Sequence, residues 1–266
     1  MIRIITTMLL FSFTSIHAVD KPFITGNEFR ALCRYSFDER GLRINHKVHN
    51  DYYFVKTPFV EEFFERFCPE DEFIMVSHDS DNGVTIDFLP YIELPQIIHW
   101  YGQNLEISHP KLTGIPIGLC NFGDHATLRK TQKRNLPKTR LVYANYCVRN
   151  NPKERGACSE KTKIPNSIRL PYYQYIREMA QSYFVLSPNG NGIDCHRTWE
   201  ALYLRAIPIV TRSPTTESFA HLPIIILDSW DDFKDLDLTP ELYYELWGDF
   251  DPDSLTAEAF IPLIVP

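Results

Sequence analysis

The chain has 266 residues, with 27 lysines and arginines against 34 aspartates and glutamates, and a formal net charge of −7 at neutral pH. That balance argues against nucleic acid as a partner, since phosphate backbones are bound by surplus positive charge. With 44% apolar and 23% charged residues, it has the composition of an ordinary globular protein, long enough to bury one large core or two small ones.

At the N-terminus, Arg3 precedes an apolar run from Ile4 to Ile16, and Ala18 offers a small residue for cleavage. This pattern predicts a signal peptide over 1–18. The run is short for a membrane span of about 20 residues, so an uncleaved signal anchor, with membrane association, is the alternative. Six cysteines, Cys33, Cys68, Cys120, Cys147, Cys158 and Cys195, are an even number in a chain expected to enter an oxidising compartment, so some are expected to pair. There is no N-x-S/T sequon.

An N-terminal half is expected over 19–126. Tyr53 to Phe67 reads as a mixed segment ending in a helix, and Phe73 to Ser77 and Leu94 to Trp100 read as strands. His78, Asp79 and Asp81 follow the first of these strands, where an α/β protein places its chemistry. The same stretch, Asp79 to Gly83, also has plain turn composition. Residues 127–137 read as a linker. The basic residues Arg129, Lys130, Lys133, Arg134, Lys138 and Arg140 around it fit a solvated, loop-like stretch.

The second half is expected over 138–250, with an atypical tail over 251–266. Strand Leu141 to Ala144 leads into a polar loop holding Asn145, Arg149 and Arg155, and helix Tyr172 to Ser182 follows. Tyr183 to Leu186 then reads as a buried strand, broken by Ser187-Pro188-Asn189-Gly190-Asn191-Gly192. A helix capped by Asp194 comes next, with Trp199, Leu202 and Ala206 at helical spacing, before strand Ala206 to Val210. This is a βαβ unit, and Ile224 to Leu227 makes a final strand.

A Gly-rich loop backed by a helix N-terminus stabilises phosphate oxygens through unpaired amides and a positive dipole end. Ser187, Asn189, Gly190, Asn191 and Gly192 are therefore candidate donors to a phosphorylated ligand, His196 and Arg197 candidate charges on a pyrophosphate, and Glu200 a candidate partner for ribose hydroxyls. The dinucleotide fingerprint is not met, because Cys195 stands where its third glycine belongs, and there is no Walker A sequence. The plainer alternative is that Asp194, Arg197 and Glu200 form a helix cap and a surface ion pair. Cys195 and His196 are helix neighbours whose side chains diverge, so Cys195 reads as packed or bridged. The remaining histidines show no metal-ligand spacing.

The stretch from Ser187 to Val210 resembles the donor-binding motif of exostosin-like glycosyltransferases, including the branch related to ribitol xylosyltransferases. The likeness extends through Phe73 to Asp81, Ile97 to Asn104, His109-Pro110-Lys111, Ile115 to Gly118 and Leu141 to Asn145, covering roughly residues 70 to 235. The resemblance implies a GT-B-like α/β fold of two Rossmann-like lobes with a cleft between them. It implies an inverting hexosyl- or pentosyltransferase that takes a nucleotide-sugar, expected to be a UDP-sugar, to a glycan or glycoprotein acceptor without a metal cofactor. In this reading Asn145, Arg149, the Ser187 loop, His196, Arg197 and Glu200 hold the donor. The base that takes the acceptor proton is Asp81, with Asp79 and His78 next in order.

The competing enzyme reading takes Asp79-Ser80-Asp81 as a D-x-D pair holding Mn²⁺ or Mg²⁺. A third reading is a catalytically impaired nucleotide- or carbohydrate-binding protein on the same fold. Two departures from the family pattern bear on it: Arg205 stands where such families place a glycine between helix and strand, and the tail shows no long amphipathic helix to pack back across both domains. The expected location is the ER or Golgi lumen, or secretion. A bacterial source would instead imply a cytoplasmic or membrane-associated protein.

Overall fold

The computed structural model describes residues 20–167 and 169–262, so the expected signal peptide lies outside the described residues. The Thr25 hydroxyl accepts from the Glu28 amide to start α1 (Gly26–Leu32). A hairpin of β1 (Tyr35–Asp38) and β2 (Gly41–Ile44) follows, its turn closed by Gly41 at φ +78°. Then come β3 (Tyr52–Lys56), α2 (Val60–Phe67), β4 (Phe73–His78), the short α3 (Leu89–Ile92), β5 (Ile97–Gly102) and β6 (Leu112–Gly114). They form a six-stranded sheet in the order β2-β1-β3-β4-β5-β6, parallel except where β2 runs against β1.

The second half opens with α4 (His125–Arg134) and β7 (Arg140–Ala144), followed by α5 (Pro152–Thr162), α6 (Tyr172–Ala180) and β8 (Ser182–Leu186). The chain continues through α7 (His196–Tyr203), β9 (Ile207–Thr211), the short α8 (Pro214–Glu217), β10 (Ile225–Leu227), α9 (Pro240–Trp247) and α10 (Ala257–Phe260). Its four strands form a fully parallel sheet, β10-β9-β8-β7. The expected βαβ unit is present: β8 and β9 pair in parallel with Leu186 opposite Ile209, and α7 crosses between them with Trp199, Ala201, Leu202 and Tyr203 buried. The fold is therefore α/β with one mixed and one parallel sheet. No described helix is long and apolar enough to cross a membrane.

Burial follows strand alternation. Phe73 and Met75 of β4 join Val55, Phe63 and Trp100 in a core on one face of the first sheet. Ile74 and Val76 point the other way, into a larger core that also contains Tyr143, Phe184, Trp199 and Ile209 of the second half. One continuous apolar interior thus joins both sheets.

Several expectations are corrected. The stretch over 127–137 is no linker: Asp124 caps α4 through the Thr127 amide, Leu128 and Thr131 are buried, and the helix packs on α6. Its composition is polar because only a narrow stripe faces the core. Lys138 is not solvated either. Its ammonium donates to the carbonyls of Ala180 at 3.0 Å, Ser182 at 2.7 Å and Leu204 at 3.4 Å, where α6 and α7 end and a cation meets the negative dipole ends. β5 starts at Ile97 rather than Leu94, Ser182 belongs to β8, and Arg155 lies on α5 rather than in a loop. All six cysteines are free thiols, Cys33, Cys158 and Cys195 being buried among other side chains.

The tail does return across both sheets, by short elements instead of one long helix. The Tyr203 hydroxyl donates to Leu255 O at 2.9 Å, the Phe260 ring stands edge-on to Trp199, Ile261 is fully buried, and α10 packs on α1. Finally, the Tyr52 hydroxyl donates to Pro262 O at 2.9 Å, back in the first sheet.

At the end of α7, Arg205 keeps the left-handed geometry that favours glycine, with φ +59°. The Ala206 amide reaches back to Ala201 O at 2.8 Å, closing the helix in a Schellman-type turn. Arg205→Gly is expected to raise unfolding free energy by up to about 1 kcal/mol in urea titrations, because it removes Cβ strain and a charge close to Lys138. A less stable variant would show that the arginine side chain stabilises this turn.

Candidate functional site

The loop leaving β8 is held from both halves of the molecule. Ser187 donates its amide to Ile209 O at 2.8 Å, and its hydroxyl meets that of Thr198 at 2.9 Å. The Gly190 amide bonds Gly192 O, while Gly190 O accepts from the Asn151 side chain at 2.9 Å. Close approach explains both glycines: a Cβ on Gly190 would lie 2.8 Å from the Arg155 guanidinium, and one on Gly192 would lie 2.5 Å from the Asn104 amide nitrogen. The amides of Ser187, Gly190, Asp194 and Cys195 all have protein acceptors, so these members of the loop do not present open phosphate donors.

Arg197 is buried, and it works on the loop as well. Its Nε donates to Asn145 O at 2.9 Å and its guanidinium reaches Pro188 O at 3.4 Å. Arg155 does the same for Asn189 O and Cys147 O, each at 2.9 Å. Glu200 takes the hydroxyls of Tyr175 at 2.6 Å and Tyr172 at 3.2 Å, and burial together with this carboxylate raises both phenols above their ordinary range. The simple Arg197–Glu200 surface pair is therefore replaced by two separate hydrogen-bond networks, the one around Arg197 buried and the one around Glu200 half-buried. Two adjoining cavities of about 340 and 400 Å³ lie here at the carboxyl end of β7. They share Asn145, Tyr146, Cys147 and Arg169; Arg149 lines the smaller, and Tyr172, Tyr175 and Arg197 the larger.

Across from the loop, the turn after β4 carries the other candidates. Asp81 is exposed, and its Oδ2 accepts from the Asn191 side chain at 3.2 Å, so this carboxylate and the loop after β8 do meet. Asp79 sits at φ +61°, a left-handed position an aspartate tolerates. Burial opposes its ionisation, but contacts with His78, Asn121 and Arg30 outweigh that and hold its carboxyl well below the usual range. His78 has no free ring nitrogen: Nε2 meets Pro116 O at 2.9 Å, and Nδ1 lies between the amide and carboxylate of Asp79. The two aspartates face different partners, Asp79 meeting Arg30 and Asn121 and Asp81 meeting Asn191. Among the described residues no group of three or more His, Cys, Asp or Glu could hold a metal ion.

These residues edge a cavity of about 570 Å³ at the carboxyl ends of β1, β3 and β4. Arg30 spans its floor, pairing with Asp38 at 2.6 Å and Asp79 at 3.1 Å over the Phe54 ring. Phe122, 93% exposed, stands at its rim. His196 also lines this cavity, with Nδ1 fixed on Gly118 O at 2.7 Å, so it faces the first sheet's site instead of the cavities beside Arg197. Sequence reasoning missed Arg30, Asp38, Asn104, Asn121, Phe122 and Arg169. Asn104 lies in a stretch of the family likeness but was given no role, no motif marks the others, and only the fold brings them to the strand ends.

Asp194 does not cap α7, whose N-cap is Cys195. Its carboxylate accepts from the Ile117 amide at 2.8 Å, the Trp199 indole at 2.7 Å and the Cys195 amide at 2.8 Å, while its own amide donates to Asn104 Oδ1 at 2.9 Å. Burial pushes this carboxyl up to about 6, against those three donors.

No protein-family model matches the chain, and no curated protein matches it.

A raised acid binds its proton more tightly when folded, so the contribution of Asp194 is fully present below about pH 3.8 and is lost as pH rises through about 6. The change across that window is roughly 3 kcal/mol. Asp194→Asn removes the titration and sets an amide NH₂ against one N–H donor, which costs about 1–3 kcal/mol. Denaturant titrations should show the variant clearly less stable near pH 5 and the gap narrowing towards pH 8. A gap independent of pH would contradict this assignment.

Proposed function

We propose that the protein is an exostosin-like glycosyltransferase of the two-lobed GT-B type, moving a sugar with inversion from a UDP-sugar to a glycan or glycoprotein acceptor in the lumen of the secretory pathway. The observation that carries the reading is the Asn191–Asp81 contact at 3.2 Å, which sets the loop after β8 against the carboxylate turn after β4. Ligands in α/β sheets bind outside the carboxyl ends of strands, and both sheets carry cavities there.

In this reading the nucleotide lies in the paired cavities beside Asn145 and Arg197, and the acceptor sugar lies in the 570 Å³ cavity, with Phe122 as an apolar platform for a ring face. The acceptor hydroxyl attacks the anomeric carbon, the bond from that carbon to the diphosphate breaks, and the hydroxyl proton passes to a base. Asp81 retains an oxygen with no hydrogen-bond partner among the described residues. His196, held through Nδ1, keeps Nε2 for the same task and is the second choice. Asp79 is fixed in its ion pair and acts by positioning Arg30 and Asn121. Arg197 and Arg155 shape the loop after β8 beside those cavities.

A nucleotide-binding protein without transfer is favoured by one observation, the engagement of Arg197 with two carbonyls. Release of UDP from a UDP-sugar separates the two readings.

In a thermal-shift panel, UDP and one UDP-sugar should raise the melting temperature, since saturation at about 100 times Kd adds about 2.7 kcal/mol. Transfer should survive EDTA; complete loss restored by Mn²⁺ would move Asp79 and Asp81 to metal ligands. Asp81→Asn should slow turnover by roughly 10²- to 10⁴-fold with UDP affinity unchanged. Near wild-type turnover in that variant, together with a large loss in His196→Asn, would assign the base to His196.

A further inference from the structure

We infer that Arg149 and Arg169 form the anion clamp of the second-half cavities and meet the phosphates of a nucleoside diphosphate directly, while the buried arginines Arg155 and Arg197 only shape the loop. This rests on the donor-site reading given above and assigns the contacts within it.

Four arginines line the two cavities, and no aspartate or glutamate does. The guanidiniums of Arg155 and Arg197 are buried and bonded to the carbonyls of Cys147, Asn189, Asn145 and Pro188. Those of Arg149 and Arg169 are exposed and have no hydrogen bond or ion pair among the described residues. An unpaired guanidinium beside a cavity with no carboxylate in its wall is suited to a phosphate, which it can bind through two parallel N–H donors.

Position supports the same assignment. Arg169 lines both cavities, so it stands at their junction, while Arg149 lines only the smaller. The smaller cavity has the apolar sides of Tyr146, Cys147 and Val148, suited to a flat base, and the larger leads towards Arg197 and the tyrosines that hold Glu200. A ligand with a base at one end and a second group at the other places its phosphates beside Arg169. The backbone of Arg169 adds an independent sign: its φ of +62° is a left-handed conformation that a long side chain adopts at a cost. A glycine would satisfy the turn better but would remove the charge.

The test uses calorimetric binding of UDP, inorganic pyrophosphate and uridine to the wild-type chain, Arg149→Ala, Arg169→Gly and the double variant. Loss of a charge-assisted hydrogen bond predicts a UDP affinity about 10- to 100-fold weaker in each single variant, with uridine affinity within about twofold of wild type. UDP binding by the wild type should weaken as salt rises, and this dependence should flatten in the double variant. Arg169→Gly should melt no lower than wild type, separating lost binding from lost folding. Single and double variants that bind UDP as tightly as a binding-competent wild type would overturn the clamp and leave the donor site standing. An equal loss for uridine and UDP would overturn it too. A wild-type chain that binds neither UDP nor pyrophosphate would overturn the donor reading and the clamp with it.

Discussion

The arrangement of the whole molecule turns on one buried carboxylate. Asp194 receives the Ile117 amide from the segment after β6, the Trp199 indole from α7 and the Cys195 amide from the start of that helix. An isolated charge at 6% exposure is costly, so these donors must stay in place for the fold to hold it. Asn104 extends the tie: its side chain accepts from Asp194 and donates to the carbonyls of Ser80 and Asp81. The turn after β4 and the loop after β8 are thereby set against each other by a short polar chain beside the shared apolar core.

That tie decides which groups remain open to a ligand. Buried polar groups must be paired, and near the loop after β8 the protein itself supplies the partners. Arg155, Arg197, Glu200 and several loop amides are absorbed in this way. Left open among the described residues are side chains further out, at the strand ends: Asp81, one nitrogen of His196, Arg149 and Arg169. The same logic applies in the first sheet, where Arg30 is held between Asp38 and Asp79 and lends its rigidity to the cavity floor.

Much of the secondary structure was legible because apolar runs and helical spacing report directly on burial. β4, β7, β8, α7, β9 and β10 all fall where periodicity places them, to within a residue or two. The hairpin of β1 and β2 was not legible, since its residues alternate weakly and β2 is an edge with Leu42 and Ile44 exposed. Nor was α4, whose ten residues carry little apolar signal because only Leu128 and Thr131 are buried. Within the site, the meeting of Asp81 with the loop could be expected from strand ends, but the partners of Arg197 and Glu200 could not.

Sequence by itself determined the local elements: where the chain pairs into strands, where glycines permit close approach, and where polar residues gather after a strand. These depend on neighbours within a few positions, through steric limits on the backbone and the period of apolar residues. Tertiary structure alone decided which charges are buried, which are paired and which are free. Asp194 and Arg197 became internal supports because residues 77 and 52 positions away in the chain were brought to them, and Arg149 and Arg169 stayed open because no described residue was. Pairing of this kind depends on distances in space, which residue types and their spacing do not encode.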